Sequence, residues 1–392
     1  MPTDLLLYGA YGYTGSLVAE AAAERGLDVT LAGRDSSKLR PIAEDLGYEA
    51  VVFRLDERAA VRAALENHAV VLNCAGPFVD TAEPLVDAAI ETGTDYLDVT
   101  GEIGVFEWIH DRGGAAREAG VTLLPGVGFD VVPTDCLAAH LADRLPGAET
   151  LALAFESEGP ASRGTTRTSL RHLHEGGRVR RAGEIRRVPL ASDVREVDFG
   201  DGPRTVAAIP WGDVATAYHS TGIPNVTVYT SMSPGRVRRL RRLRHLAPAL
   251  SLGAVRWLLL KLASGDAGPD AATRERTGAR LWGRATAGET PQGESVQGES
   301  ARGENERSET EMGTKEAPEA VVSRLRTPNT YDFTVESALE ATCRVLDGEA
   351  AAGFQTPATA FGPEFVLSLP GVEGFEDDPV AAPAEPLANS QS

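Results

Sequence analysis

Short apolar runs recur along the first third of the chain, each followed by a longer stretch with helical spacing. Leu5 to Tyr8 (LLLY) is apolar throughout, as a strand buried on both faces is. Thr14 to Arg25 is Ala-rich and predicts a helix, and Val29 to Ala32 predicts a second strand. Val51 to Phe53, Val70 to Asn73, Tyr96 to Asp98 and Val121 to Leu124 continue the strand series. Stretches such as AAVRAALEN and TAEPLVDAAIETG supply the helices between them. Alternation of this kind specifies a parallel sheet with right-handed crossovers. It ends near PGVGFDVVPTD, residues 125 to 135, after which Val131 to Leu145 predicts a helix.

The middle of the chain has a different pattern. Leu151 to Phe155, Glu196 to Phe199, Thr205 to Ile209 and Val226 to Tyr229 predict strands of a mainly antiparallel sheet. Helices are expected at about Thr165 to His174 and from Arg236 to Leu262. ARLWGRA and AVVSRLR pair as a hairpin whose loop, residues 286 to 318, is polar, Glu-rich and repeats QGES. That loop cannot bury enough surface to offset chain entropy, so disorder is expected there, and long surface loops add little closure entropy. A helix from Tyr331 to Leu346 and a Gly/Pro-rich tail follow. The fold class is therefore α/β: a Rossmann-type parallel-sheet domain (1–133) plus an inserted α+β domain (134–330) with a mainly antiparallel sheet, and a C-terminal segment (331–392) returning to the first.

Composition narrows the function. The chain has 392 residues and a formal net charge of −19, and 35 of its 38 basic residues are arginine, because Lys38, Lys261 and Lys315 are its only lysines. Acid excess with so little lysine suggests a cytoplasm of high salt, and it argues against general nucleic-acid binding, which needs a positive field. Cys74, Cys136 and Cys343 are odd in number and far apart, so neither a disulfide framework nor a zinc spacing is legible. His172 and His174 lack carboxylates at ligand spacing, so no metal is expected. MPTDLLLYGA has no basic region ahead of its apolar residues, which makes the cytoplasm the default location. LAPALSLGAVRWLLLKLA, residues 246 to 263, is interrupted by Arg256 and Lys261 and reads as a buried or interfacial helix.

The candidate chemistry begins at GAYGYTG, residues 9 to 15, between the first strand and its helix. Gly9 allows the tight turn, Gly12 lets the backbone approach a pyrophosphate, and Gly15 lets helix and strand pack closely. The helix N-terminus then presents free N–H groups and a positive dipole end to the phosphates, with Tyr11, Tyr13 and Thr14 at the same loop. Where an NAD site normally places Asp or Glu, the chain has Gly33 and Arg34, with Lys38 one turn further on. A guanidinium there suits a 2′-phosphate, so NADP is the expected cofactor, while Asp35 is placed to cap the next helix. NCAGPF brings Asn73, Ala75, Gly76 and Pro77 to the C-terminal end of a strand, where they can pass beneath the nicotinamide ribose. For each of Asp98, Glu102, Asp130 and Asp135, in YLDVTGE and PGVGFDVVPTD, the simplest role is a helix cap.

GAYGYTG, AGRDSSKL, NCAGPF, YLDVTGE and PGVGFDVVPTD together resemble the saccharopine dehydrogenase-like oxidoreductases. WGDVATAYHSTGIPNVTVY and GFQTPATAFG are most similar to the branch of trans-acting enoyl reductases. The resemblance implies a Rossmann domain, an inserted second domain, and hydride transfer from NADPH to a double bond in an acyl chain. It also places TAYHSTG near the substrate, making Tyr218 and His219 candidate proton donors beside Tyr96. The acidic insert departs from the family pattern.

Two arginine clusters stand out, residues 163 to 187 and RVRRLRRLR at 236 to 244. In the second, Val237, Leu240 and Leu243 recur at helical spacing, so the helix is basic on one side and apolar on the other, like helices that lie at interfaces. A carrier protein, a phosphorylated lipid or an anionic membrane met from the cytoplasmic side are the anionic partners such surfaces would serve; a solvated arginine face is the plain alternative, and a homodimer is a separate expectation. Three functions stay open: an NADPH-dependent reductase of a lipid-like or acyl substrate, an amino-acid or imine reductase of the saccharopine class, and a non-catalytic NADP-binding protein at membranes.

Overall fold

The structure, a computed structural model, describes residues 4–159, 176–243, 268–288 and 320–378. The expected helix at Thr165 to His174, the stretch 246 to 263, His172, His174 and all but the edges of the acidic insert lie outside them.

The first sheet holds β1 (Leu5–Tyr8), β2 (Val29–Gly33), β3 (Glu49–Val52), β4 (Val70–Asn73), β5 (Asp95–Asp98), β6 (Thr122–Leu124) and, from the far end of the chain, β15 (Gly353–Phe354). All run parallel, in the order β15-β6-β5-β4-β1-β2-β3. Leu5 and Leu7 face one core and Leu6 and Tyr8 the other, which is why this strand is apolar at every position. α1 (Tyr13–Glu24) lies on one face; α3 (Arg58–Leu65), α4 (Phe78–Thr92), α5 (Ile103–His110) and α6 (Gly113–Ala119) lie on the other, while α2 (Ser36–Leu46) joins β2 to β3. The chain turns right after β1 and left after β4, so the ends of these two strands border the crevice in which such sheets bind ligands.

α7 (Val132–Arg144) leaves β6 and packs on the second sheet. A Cβ at Gly283 would come within 2.5 Å of Leu141 Cδ1, so this helix and β13 (Gly278–Thr286) touch at a glycine. The second sheet runs β10 (Val194–Asp198), β11 (Pro203–Ile209), β12 (Asn225–Ser231), β7 (Thr150–Ser157), β13, β14 (Ala320–Pro328), β16 (Glu376–Asp377), with the hairpin β8 (Gly177–Arg181) and β9 (Glu184–Val188) attached to β12. It is antiparallel except where β12 and β7 run parallel. The expected hairpin around the acidic insert is present, β13 and β14 pairing from Gly278 opposite Pro328 to Thr286 opposite Ala320. α8 (Asp213–Thr221) follows β11, α9 (Pro234–Leu243) follows β12, and the short α10 (Ala271–Arg274) precedes β13.

α11 (Thr330–Leu346) begins at Asn329, whose side chain accepts from the N–H groups of Tyr331 and Asp332, and crosses back to the first sheet beside α1. α12 (Pro357–Phe361) follows β15. One hydrophobic core runs from Leu7 and Leu97 through Val132 and Leu137 to Leu153 and Leu281, joining the two sheets. The sequence pattern does not predict α5, α6 or the β8–β9 hairpin. The two helices are one to two turns long, and the hairpin is masked by its arginines, of which Arg180 is buried at 3% exposure. Three neutralising partners account for that burial: the carbonyls of Val214 and Gly183 and the carboxylate of Glu107.

Candidate cofactor and active site

Gly9 turns the chain out of β1 at φ +88°, where a Cβ would lie 2.8 Å from the nitrogen of Ala75. At Gly15 a Cβ would stand 2.3 Å from the carbonyl oxygen of Gly9, so α1 can approach β1 only with glycine there. Gly12 donates to that same carbonyl at 2.9 Å and is the N-cap of α1, which receives no side-chain cap. The first-turn N–H groups of α1, at Tyr13, Thr14 and Gly15, are thus left for an anion. The equivalent groups on α4 are taken: Glu102 accepts from Phe78 N at 2.8 Å and Val79 N at 3.1 Å. Of these two helix ends beside the crevice, α1 is the one left for a pyrophosphate.

Tyr11 lies over Gly33, where a Cβ would come within 2.5 Å of its ring, and Lys38 Nζ is 5.8 Å from the same ring. Arg34 is exposed and pairs with no carboxylate among the described residues. Asp35 caps α2, accepting from Ser37 N at 3.1 Å, and faces Lys38 at 3.5 Å; its hydrogen bonds with Ser37 hold its carboxyl below the usual range. Tyr13 points the other way. Its hydroxyl donates to the Pro269 carbonyl at 2.5 Å and accepts from Arg274 at 3.3 Å, and its ring meets Tyr331 edge-on. It ties the second domain over the glycine loop. Replacing Arg34 by alanine is expected to weaken NADPH binding by about 10- to 100-fold, the worth of a charge-assisted phosphate contact, and to leave NADH binding nearly unchanged. Fluorescence titration with both coenzymes reads this directly; equal losses for the two would remove the 2′-phosphate role.

Across the crevice Asn73 is fully buried. Its amide donates to Thr81 Oγ1 at 3.1 Å and to the Tyr96 hydroxyl at 3.2 Å, and its Oδ1 accepts from Ala75 N at 3.0 Å. It shapes the loop through Ala75, Gly76 and Pro77 from below. Tyr96 is also fully buried and donates to Asp98 Oδ2 at 2.8 Å. Asp98 additionally accepts from the N–H groups of Thr100 and Gly126, each at 2.9 Å, and burial raises its carboxyl to about 6. With no exposed surface, Tyr96 is a support for this loop junction and is withdrawn from a substrate.

The other two candidate donors stand elsewhere. His219 Nε2 is 3.1 Å from Glu107 Oε1, and its ring stacks on His110 at 4.1 Å and meets Phe354. Tyr218 lies under the Arg180 guanidinium at 4.2 Å. His110 closes α5, about 11 Å along the helix from Ile103, which starts at the crevice edge. Tyr218 and His219 therefore clasp α8 to α5 and β15, away from the ends of β1 and β4.

One acid remains at that edge. Asp130 follows β6, its Oδ2 lying 2.7 Å from where a Cβ of Gly101 would be, and it has no hydrogen-bond partner among the described residues. Burial pushes its carboxyl up to about 7. It is no helix cap, unlike Glu102 on α4 and Asp135, which accepts from Ala358 N at 2.8 Å at the start of α12. Beside it Phe129 meets Phe155 and Phe333 edge-on, and Phe155 lies 4.7 Å from Trp211. Residues of both domains thus form an aromatic wall next to a protonatable carboxyl; Asp213, two residues past Trp211, is a second buried acid whose carboxyl burial raises. The sequence signal was present in G-F-D-V: an acid set between apolar residues just past a strand end.

A parallel sheet with an open glycine cradle, joined to a second domain across a crevice, defines the class of dinucleotide-dependent oxidoreductases. Residues 5–124 match the model of the saccharopine dehydrogenase NADP binding domain family, and the cofactor is NADP. The chain is 37% identical over 152 residues to a trans-acting enoyl reductase of Mycobacterium leprae, and 29% identical over 174 residues to a saccharopine dehydrogenase-like oxidoreductase of Rattus norvegicus. These matches span 36% of both chains in the first case, and 39% of this chain and 41% of the relative in the second. The fold extends further. Saccharopine dehydrogenase (L-Glu forming) of Saccharomyces cerevisiae superposes over 96% of this chain and 100% of its own, with a TM-score of 0.63 at 14% identity. Homospermidine synthase of Legionella pneumophila, solved with NAD, superposes over 94% of this chain and 89% of its own, with a TM-score of 0.55 at 11% identity.

Proposed function

We propose that this NADP-binding oxidoreductase reduces a carbon–carbon double bond conjugated to a carbonyl in a lipid-like or acyl substrate. The observation that carries the reading is Asp130, a carboxyl raised to about 7 beside the wall of Phe129, Phe155 and Trp211. NADPH, when bound, supplies the hydride, which goes to the β-carbon. Asp130 holds a proton at neutral pH and delivers it to the α-carbon. The apolar wall accommodates an acyl chain and, by excluding water, keeps that carboxyl protonated. Arg34 would grip the adenosine phosphate of the bound coenzyme, and the α1 amides would hold its pyrophosphate.

An imine reductase of the saccharopine class would need guanidiniums free to clamp substrate carboxylates. Four arginines of the second domain are engaged, Arg180 with Glu107, Arg195 with Asp193, Arg274 with Asp332, and Arg280 with Glu156 and Glu158, while those of α9 are exposed at the surface. The trans-acting enoyl reductase among the relatives supports the same choice over its matched third. The test follows NADPH absorbance with a panel of 2-enoyl thioesters of increasing chain length, and with amino-acid and oxo-acid pairs. Turnover that rises with chain length is expected; turnover confined to the second panel would overturn the proposal.

A further inference from the structure

α9 carries Arg236, Arg238, Arg239, Arg241 and Arg242 within PGRVRRLRRL and no acidic residue. All five are exposed. None pairs with a carboxylate among the described residues, whereas Arg195, Arg204, Arg274, Arg280 and Arg324 of the same domain each do so within 4 Å. In a chain of net charge −19, five guanidiniums without a carboxylate partner among the described residues repel one another along one helix, including at the i,i+3 spacing of Arg236 with Arg239 and of Arg238 with Arg241. An anion that meets them relieves that repulsion.

Val237 and Leu240, on the apolar side of the helix, are not available for insertion, contrary to the expectation from its periodicity. Val237 is 5% exposed and packs with Ala191 and Ala207, and Leu240 and Met232 join the same cluster. Arg241 Nε donates to the Ala191 carbonyl at 3.1 Å, which fixes the helix to the second domain. What α9 offers outward is charge without an apolar anchor. Protein partners are held mainly by buried aromatic or aliphatic anchors, and the large exposed apolar residues of the described chain are Val52, Val79 and Leu346, none of them on this helix. A fluid layer of phosphodiesters needs no anchor. Its headgroups move to meet each guanidinium, which takes phosphate oxygens in a bidentate fork. We propose that α9 is a docking surface for an anionic lipid bilayer, bound through headgroup phosphates while Val237 and Leu240 stay packed on the domain.

Bilayer docking is measured without coenzyme or substrate, so it stands or falls apart from the substrate assignment. The full chain is sedimented with vesicles of phosphatidylcholine alone and of phosphatidylcholine mixed with phosphatidylglycerol. Retention by the anionic vesicles only is expected at low salt, with release in molar salt, where the Debye length is about 3 Å. Changing Arg238, Arg239 and Arg242 together to glutamine, with Arg241 kept for its bond to Ala191, should lower partitioning by roughly 100-fold. Unaltered NADPH titration verifies that this variant is folded. Equal sedimentation with both kinds of vesicle, no sedimentation with either, or undiminished binding by the folded variant each overturns the proposal.

Discussion

Asp130→Asn is expected to lower turnover by about 10²- to 10⁴-fold while leaving NADPH affinity unchanged, because it removes the proposed proton donor and nothing that touches the glycine loop. Asparagine keeps the volume of the side chain and has no proton to give at neutral pH. In the wild type, kcat should decline as pH rises through about 7, where Asp130 ionises, and the residual activity of the variant should lack that limb. The coenzyme titration separates this outcome from a folding defect. Wild-type turnover in the variant would show that the proton comes from another group or from water.

The same substitution carries a stability signature with a definite sign. The carboxyl of Asp130 is raised from 3.8 to about 7 in the folded protein, chiefly by burial. A carboxyl raised in this way favours folding most at low pH, and its contribution is lost as pH climbs from about 4 through 7. The full shift corresponds to ~4 kcal/mol, and partial solvent access reduces it to the order of 2 kcal/mol. Asp130→Asn should therefore gain thermal stability over the wild type at pH 8 and lose that advantage at pH 4. A site that costs stability where it works is the usual trade at catalytic positions.

The second large effect is expected from Gly15→Ala. Its Cβ would stand 2.3 Å from the Gly9 carbonyl oxygen, 2.9 Å from the Gly9 carbonyl carbon and 3.0 Å from Ala10 Cα. All three are backbone atoms of the turn that forms the cradle, so nothing flexible can yield. α1 must move off β1, carrying its open N-terminus away from the pyrophosphate position. A loss of about 1–3 kcal/mol in stability and at least tenfold in NADPH affinity follows. Gly104→Ala, in α5, is the control: no atom lies within 4 Å of its Cβ, and alanine in a helix is worth up to ~1 kcal/mol over glycine. Melting curves and coenzyme titration of the pair separate a steric effect from a general intolerance of alanine. Normal NADPH affinity in Gly15→Ala would remove the cradle from this loop.

Local sequence determined a good deal about this protein. The alternation of short apolar runs with helical stretches specified the parallel sheet, because strand burial and helix amphipathicity leave different periods in the chain. GAYGYTG specified the turn between β1 and α1, because a tight turn and a close approach of helix to strand each demand glycine at one place. The β13–β14 hairpin was legible across its long insert for the same reason of pattern. The β8–β9 hairpin was not, since Arg180 is admitted to the interior by Glu107 and the Val214 carbonyl, both from elsewhere in the chain, together with the Gly183 carbonyl of its own turn. Tertiary structure alone decided which polar residues stand at the crevice. It turned His219 onto His110 and Glu107, buried Tyr96 against Asp98, and packed Val237 of α9 on Ala191 and Ala207. It also left Asp130, one acid among several after successive strands, without a hydrogen-bond partner among the described residues, next to Phe129 in the chain. Backbone demands are local and are written in residue type; the protonation and reach of a side chain depend on neighbours that only the folded chain brings together.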